Sequence, residues 1–235
     1  PVVSFSFDDF PLSAATDGAR ILEDAGMRGT YYYAGGLAGG LENGQPIAGI
    51  DVAADLARRG HEIGAHTHGH LNVHRTPTPA LRADIERNIR EIAALTGGGP
   101  PASFAYPFGV VCLRSKLALM RRFAGLRGIQ PGINSGIVDL AHLKAQELYD
   151  ASSDAGSIGA LLDRLERGGG WLIFYTHDVR ADPTSIGCSP HYLAEIVGLV
   201  RQRRLRVDTV AGVLAGIGAA RPLKGAERNR FNLID

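Results

Sequence analysis

The 235-residue sequence predicts an α/β fold in which about seven parallel strands close, or nearly close, into a barrel. Three observations carry that expectation. Short β-rich runs alternate with helical segments seven or eight times, the pattern of parallel strands joined by helical crossovers. No internal repeat and no linker-like stretch divides the chain, so residues 1–235 read as a single domain. The residues able to carry chemistry also fall at the ends of four separate predicted strands, where barrels of this kind place their active sites.

Val2 to Phe7 is the first strand. A helix follows from Ser13 to Ala25, closed by Gly26, and Thr30-Tyr31-Tyr32-Tyr33 is the second strand. The glycine-rich stretch from Gly35 to Gly44 lacks the spacing and the GKS or GKT of a phosphate loop, and reads as a plain surface loop. Asp51 to Arg59 is helical and ends at Gly60; His61 to Gly64 is a short strand. Thr78 to Leu95 is the clearest helix. Thr78 can cap it, Pro79 suits its first turn, and Leu81, Ile85, Ile89, Ile92 and Leu95 form one apolar stripe. The Gly97–Pro101 break precedes a strand over Ser103 to Ala105. Further strands are expected near Leu126–Ile129, Ala145–Leu148, Leu172–Thr176 and Leu205–Val207, with helices over Ser115–Phe123, Ile158–Arg167 and Pro190–Arg203.

Composition narrows the function. Apolar residues make up 45% of the chain and the formal charge is +1, which suits a substantial core and supplies no basic patch for nucleic acid or anionic lipid. The weakly polar stretch from Val210 to Ala220 is about half the length of a membrane span. Cys112 and Cys188 read as plain thiols, since free cysteine is usually a small buried hydrophobe. The first strand begins almost at Pro1 and no signal peptide is read. The compartment stays open between the cytoplasm and a secreted or periplasmic site reached after loss of a leader.

Five of the eight histidines lie between His61 and His74. His66 and His70, four apart, can turn both rings to one side, and two imidazoles with one carboxylate can hold a divalent cation and leave a position for water. Adjacent carboxylates ending a hydrophobic strand, Asp8-Asp9, are costly unless compensated. A cation compensates one and leaves the other as a base toward that water. His61-Glu62 does not make a zincin motif, because the next histidine is one residue too far. His68 reads as packing or support, and His74 as exposed. His177 follows the apolar run Trp171–Thr176 and can donate a proton to a leaving group. Tyr31, Tyr32, Tyr33 and Tyr106 could stack on sugar rings, although aromatic residues in strands are more often core.

These residues resemble the motifs of the polysaccharide deacetylases, the NodB-homology group of carbohydrate esterase family 4. Phe7-Asp8-Asp9-Phe10 is similar to TFDDG and His66-Thr67-His68-Gly69-His70 matches H-[ST]-x-x-H. Phe104-Ala105-Tyr106-Pro107-Phe108-Gly109 resembles the third motif, and Leu172 to His177 the fifth. The resemblance implies a distorted (β/α) barrel that removes N-acetyl groups from amino sugars in an oligo- or polysaccharide. By position it implies Asp9, His66 and His70 as ligands of a divalent cation, with Zn²⁺ favoured over Co²⁺, Ni²⁺ or Fe²⁺. Asp8 would be the general base and His177 the general acid. The Phe108 amide would face the oxyanion, with Tyr106 beside it.

The sequence departs from that pattern in three places. Ala105 stands where the third motif usually carries an arginine that pairs with the base, a variant resembling the branch that includes poly-N-acetylglucosamine deacetylases. Arg127, at a later strand end, is the expected replacement. The fourth motif, an aspartate orienting the catalytic histidine beside a tryptophan, is matched at best by Asp139 and Trp171. Phe10 replaces the glycine after Asp9. Other chemistries of the same site are hydrolysis of a different non-peptide C–N bond, as in allantoinase- or deformylase-like relatives, and O-acetyl ester cleavage. A non-catalytic carbohydrate-binding relative is the remaining alternative.

Overall fold

A computed structural model describes residues 1–220; the end of the expected single domain, residues 221–235, lies outside them. The strands are β1 (Val2–Phe7), β2 (Thr30–Tyr33), β3 (Leu41–Glu42), β4 (Gln45–Pro46), β5 (Glu62–Ala65), β6 (Ser103–Ala105), β7 (Gly125–Arg127), β8 (Gln146–Glu147), β9 (Trp171–Thr176) and β10 (Arg206–Val207). The helices are α1 (Ala19–Asp24), α2 (Ile50–Arg58), α3 (Thr78–Thr96), α4 (Leu113–Leu119), α5 (Ala155–Gly168), α6 (Pro190–Gln202) and α7 (Val210–Ala220).

The main sheet runs β7-β6-β5-β2-β1-β9-β8, all parallel, with the short β10 also pairing β1. An isolated parallel bridge, Arg127 to Leu143, brings the segment leading into β8 beside β7, so the two ends of the curled sheet meet. This is the distorted seven-stranded barrel that the alternation of elements predicts.

Strand parity explains what each face holds. Val3, Phe5 and Phe7 of β1 face the helical layer, where they join Leu22, Tyr31, Ile63, Leu126 and Leu193 in the larger core. The alternate positions turn inward, where Ser4 and Ser6 of β1 stand beside Ile173 and Tyr175 of β9. Ser4 Oγ donates to the Asp208 carbonyl and Ser6 Oγ to the Phe174 carbonyl, both at 2.7 Å, so these buried hydroxyls are satisfied. Gly64 is required inside the barrel: a Cβ there would lie 2.6 Å from the Tyr32 ring.

The Val210–Ala220 stretch forms α7, which plugs the end of the barrel where the strands begin. Val210 N–H donates to Thr30 Oγ1 at 3.0 Å and Ala211 N–H to the buried Glu62 carboxylate at 2.7 Å. Val213 and Leu214 are buried beneath them. No described helix is long and apolar enough to cross a membrane.

Three local expectations need correction. The first helix is preceded by a wide π-type turn, Ala14–Gly18. Thr78 does not cap α3, whose N-cap position is Pro77; Thr78 Oγ1 instead accepts from Arg114 at 2.8 Å. The glycine-rich stretch is not a plain loop, because it folds into the β3–β4 hairpin. Asn43 and Gly44, both at positive φ (49° and 74°), make its two-residue turn.

Candidate active site

Four of the strands that end at the open mouth of the barrel contribute polar groups there. Asp8 and Asp9 follow β1, His66 follows β5, Arg127 ends β7 and His177 follows β9. Among the described residues seven non-glycine residues adopt positive φ, and five of them (Asp9, Phe10, Thr67, His70 and Phe108) belong to this mouth. Each such conformation costs about 1–3 kcal/mol, so their clustering marks a site whose geometry is imposed by its surroundings.

Asp9, His66 and His70 offer ligand atoms that all lie within 4.8 Å of one another. The Nε2 atoms of both histidines stand 3.1 Å from Asp9 Oδ1. That oxygen is nevertheless buried without a well-directed hydrogen bond. Three ligand atoms that converge without bonding one another suit a divalent cation between them. The His66 ring is fixed by its other nitrogen, Nδ1, which lies 2.9 Å from the Ala105 carbonyl. Burial acts to raise the Asp9 carboxyl pKa, but the two imidazoles and the more distant His177 hold it well below the ordinary carboxylate range. His70 moves the other way: burial opposes its charged form, and Asp9 and Glu42 together lift its pKa above the usual value.

Helix α3 holds the histidine loop with a polar stripe beside its apolar one. Asp84 accepts from the His68 and Gly69 amides at 2.6 and 2.9 Å. Asn88, fully buried, accepts from the His66 amide at 3.2 Å and donates to the Tyr33 carbonyl at 3.1 Å. Glu91 accepts from the Tyr33 hydroxyl at 2.8 Å and faces His68 Nε2 at 3.2 Å. The i, i+4, i+7 spacing of Asp84, Asn88 and Glu91 is not distinguishable in the sequence from a solvated helix face.

Asp8 is ion-paired with Arg127, both side chains being buried. The guanidinium lies between the rings of Tyr32 and Tyr175, with 5.1 and 5.0 Å to their centroids. Burial opposes its charge, but Asp8 and the two tyrosines outweigh that and hold its pKa above the ordinary value. Ala105 and Arg127 are direct register partners on β6 and β7. The arginine missing from position 105 thus reappears one strand across at the same height.

His177 lies on the other side of Asp9, with Nε2 3.8 Å from Oδ2. Its Nδ1 lies 3.1 Å from the Ile186 carbonyl, which leaves Nε2 for the site. The loop presenting that carbonyl is locked by Asp178, which is 1% exposed and accepts from the Thr184 amide at 2.9 Å and its hydroxyl at 2.5 Å. A Cβ at Gly187 would sit 2.2 Å from the Asp178 carboxylate. For the acid role expected of His177, Asp178→Ala should lower kcat by roughly a hundred-fold, the loss an ångström-scale misplacement brings, and leave cation affinity at Asp9, His66 and His70 unchanged. Metal titration beside steady-state kinetics checks this.

Three residues expected at the site are not brought to it. Asp139 is ion-paired with Lys116 and half-exposed, so it does not orient His177, and Trp171 sits at the far end of β9 with its Nε1 donating to Ser4 Oγ at 3.0 Å. Tyr106 is buried, its hydroxyl donating to the Ala141 carbonyl at 3.1 Å, and packs rather than lining the mouth. Phe108, by contrast, is 59% exposed at the rim, its ring centroid 4.5 Å from that of His70.

The polysaccharide deacetylase family model matches residues 1–127, more than half of the chain and the part that contains Asp8, Asp9, His66 and His70. The chain belongs to the polysaccharide deacetylase family. Among solved structures, it resembles a putative polysaccharide deacetylase from Mycobacterium smegmatis at 16% identity and a TM-score of 0.65, covering 96% of this chain and 94% of that one. A family 4 acetyl xylan esterase from Clostridium thermocellum, solved with a cobalt ion, gives 18% identity and a TM-score of 0.62 over 93% and 92% of the two chains. A family 4 pseudoenzyme matches at 17% identity and a TM-score of 0.58, over 91% of this chain and 67% of that one. At these identities the likenesses speak for the fold. No protein with a curated description matches the chain in sequence.

Within this polysaccharide deacetylase fold, a groove of about 300 Å³ leads away from Asp9 and His177, between the β3–β4 hairpin and residues 184–186. Its hairpin wall went unread in the sequence, although Asn43-Gly44 is a strong two-residue hairpin signal. The cysteines lie outside the site and are not joined to each other. Burial pushes the Cys188 thiol up to about 12. At Cys112 burial acts upward too, but contacts with Ser115 and His74 bring the thiol down to about 7. A thiol reagent is therefore expected to modify Cys112 increasingly as pH rises through about 7, and Cys188 only after unfolding. Peptide mapping after labelling at several pH values checks this.

Proposed function

We propose that the protein is a metal-dependent deacetylase that removes N-acetyl groups from amino sugars in an oligo- or polysaccharide. Family membership supports action on acetylated carbohydrate. The observation that carries the reading is the convergence of Asp9, His66 and His70 with a proton-transfer group on either flank, the carboxylate of Asp8 as base and the imidazole of His177 as acid.

A divalent cation held by Asp9, His66 and His70 supplies Lewis acidity toward a water molecule and toward the acetamide carbonyl; Zn²⁺ fits two imidazoles and a carboxylate, and Co²⁺, Ni²⁺ or Fe²⁺ could take the same ligands. The chain's own groups do the rest. Asp8, held by Arg127, takes the proton of the attacking water at a carboxylate oxygen. The Phe108 amide, brought to the rim by a positive φ, donates to the carbonyl oxygen as it gains charge. His177 Nε2 gives a proton to the departing amine, and the Ile186 carbonyl keeps its ring in the orientation that permits this. Phe10, wholly buried, packs edge-on against Tyr31 and Tyr33.

A substrate panel tests the reading. Metal-loaded protein is expected to release acetate from N-acetylglucosamine oligomers faster than from acetylated xylan, and to release no formate from N-formyl sugars. Faster release from the ester substrates reassigns the site to O-acetyl groups.

A further inference from the structure

The groove between the hairpin and residues 184–186 has a chemistry that the hydrolytic step does not use. Its acidic side chains are Asp9, Glu42 and Asp178, and no lysine or arginine lines it. Asp9 is committed to the cation, and Asp178 has both oxygens engaged by Thr184. Glu42 is different. It ends β3, immediately before the Asn43-Gly44 turn, and its carboxylate reaches no closer than 3.7 Å to His70 Nδ1, beyond hydrogen-bonding distance. Its side chain remains 29% exposed toward the groove.

The hairpin that carries Glu42 is well anchored. Gln45 Oε1 accepts from Arg180 Nη1 at 2.9 Å, which occupies that guanidinium behind the wall. The Ile47 amide donates to the Gly40 carbonyl and the Ala48 amide to the Phe10 carbonyl, each at 3.0 Å. A carboxylate fixed on the wall of a cleft with no lysine or arginine in its lining attracts an ammonium group and repels an anion. The groove's volume suits a small ligand, at the lower end of the usual range of about 300–1,000 Å³.

We propose that Glu42 makes this groove a subsite for a sugar carrying a free ammonium group beside the residue being deacetylated. The chain then prefers partly deacetylated amino-sugar oligomers to fully acetylated ones, and disfavours sugars bearing a carboxylate next to the acetamide. This deepens the deacetylase reading and rests on it for the neighbouring position, whereas recognition of the ammonium does not depend on turnover.

The test uses the full chain loaded with Zn²⁺ and two trisaccharides, one fully N-acetylated and one with a free amine beside the N-acetylglucosamine. The free amine is expected to lower KM by roughly ten-fold, the scale of one hydrogen bond to a charged group, and the advantage shrinks as salt is raised. Measured at a pH above the raised pKa of His70, where protons no longer compete with the cation, E42Q keeps the fold, the metal affinity and kcat on the acetylated trisaccharide, and loses the ten-fold preference. Direct calorimetric binding of glucosamine trimer to the same samples reads the subsite without turnover, and is weakened to the same degree by E42Q. Equal KM and equal binding for both trisaccharides in the unaltered protein overturns the proposal. So does an E42Q protein that keeps the preference, or one whose metal affinity falls while the preference survives, since Glu42 then serves His70. Glucosamine binding that depends on Glu42 without any acetate release sinks the deacetylase reading and leaves the subsite standing.

Discussion

The Asp9→Ala protein is expected to bind Zn²⁺ more than about a hundred-fold more weakly than the unaltered chain, a larger loss than outer groups around a metal usually cause. Acetate release should disappear with it. Asp9 supplies one of three converging ligand atoms, and its Oδ1 is the buried oxygen that lacks a directed hydrogen bond. His66→Ala and His70→Ala should behave alike. Metal binding also has a definite pH dependence. His70 must be neutral to ligate, and in the metal-free protein Asp9 and Glu42 raise its pKa above the ordinary imidazole value. Protons therefore compete with the cation as pH falls toward and below that raised value, so affinity weakens in acid and levels off in base. Titration of metal-stripped protein at several pH values measures both effects.

Asp8→Asn should give the opposite division: metal retained, turnover lost. Loss of a general base costs about 10²–10⁴-fold in rate. Asparagine keeps the volume and one acceptor oxygen beside Arg127 but cannot take a proton at the carboxylate. Arg127 is the more dangerous site. Removing either partner of a buried pair strands the other's charge, at a cost of about 3–5 kcal/mol. Arg127→Met should therefore lower the melting temperature as well as the activity. Asp8→Asn also leaves the guanidinium without its counter-charge, and its stability should fall by less, because the amide oxygen still accepts. An Asp8→Asn protein with normal kcat would remove Asp8 from the mechanism.

What the sequence disclosed followed from local rules. Strand parity, glycine ends and the apolar stripe of α3 are written in consecutive residues, and β1, β2, β6 and α3 appear within a residue of their expected bounds. The grouping of Asp8, Asp9, His66, His70 and His177 was legible because parallel strands must all end at one mouth. Three features were not. The group that holds the His177 ring is the Ile186 carbonyl, and a carbonyl has no residue signature, so the sequence pointed to Asp139, which pairs with Lys116 instead. The polar stripe of α3 looks like any solvated helix face until the loop it holds is in place. The hairpin wall was hidden by the glycines around it, despite its Asn-Gly turn. Arg127 was legible only as a residue at the right strand end; that it stands opposite Ala105 is a matter of register.

In the proposed mechanism Asp9, His66 and His70 hold a cation on which amide hydrolysis depends. The most direct test is acetate release from N-acetylglucosamine oligomers by metal-stripped protein, before and after one equivalent of Zn²⁺ or Co²⁺. Release should be negligible without metal and recover fully at one cation per chain, with no recovery in Asp9→Ala. Equal release by the stripped protein, or recovery in Asp9→Ala, would contradict that mechanism.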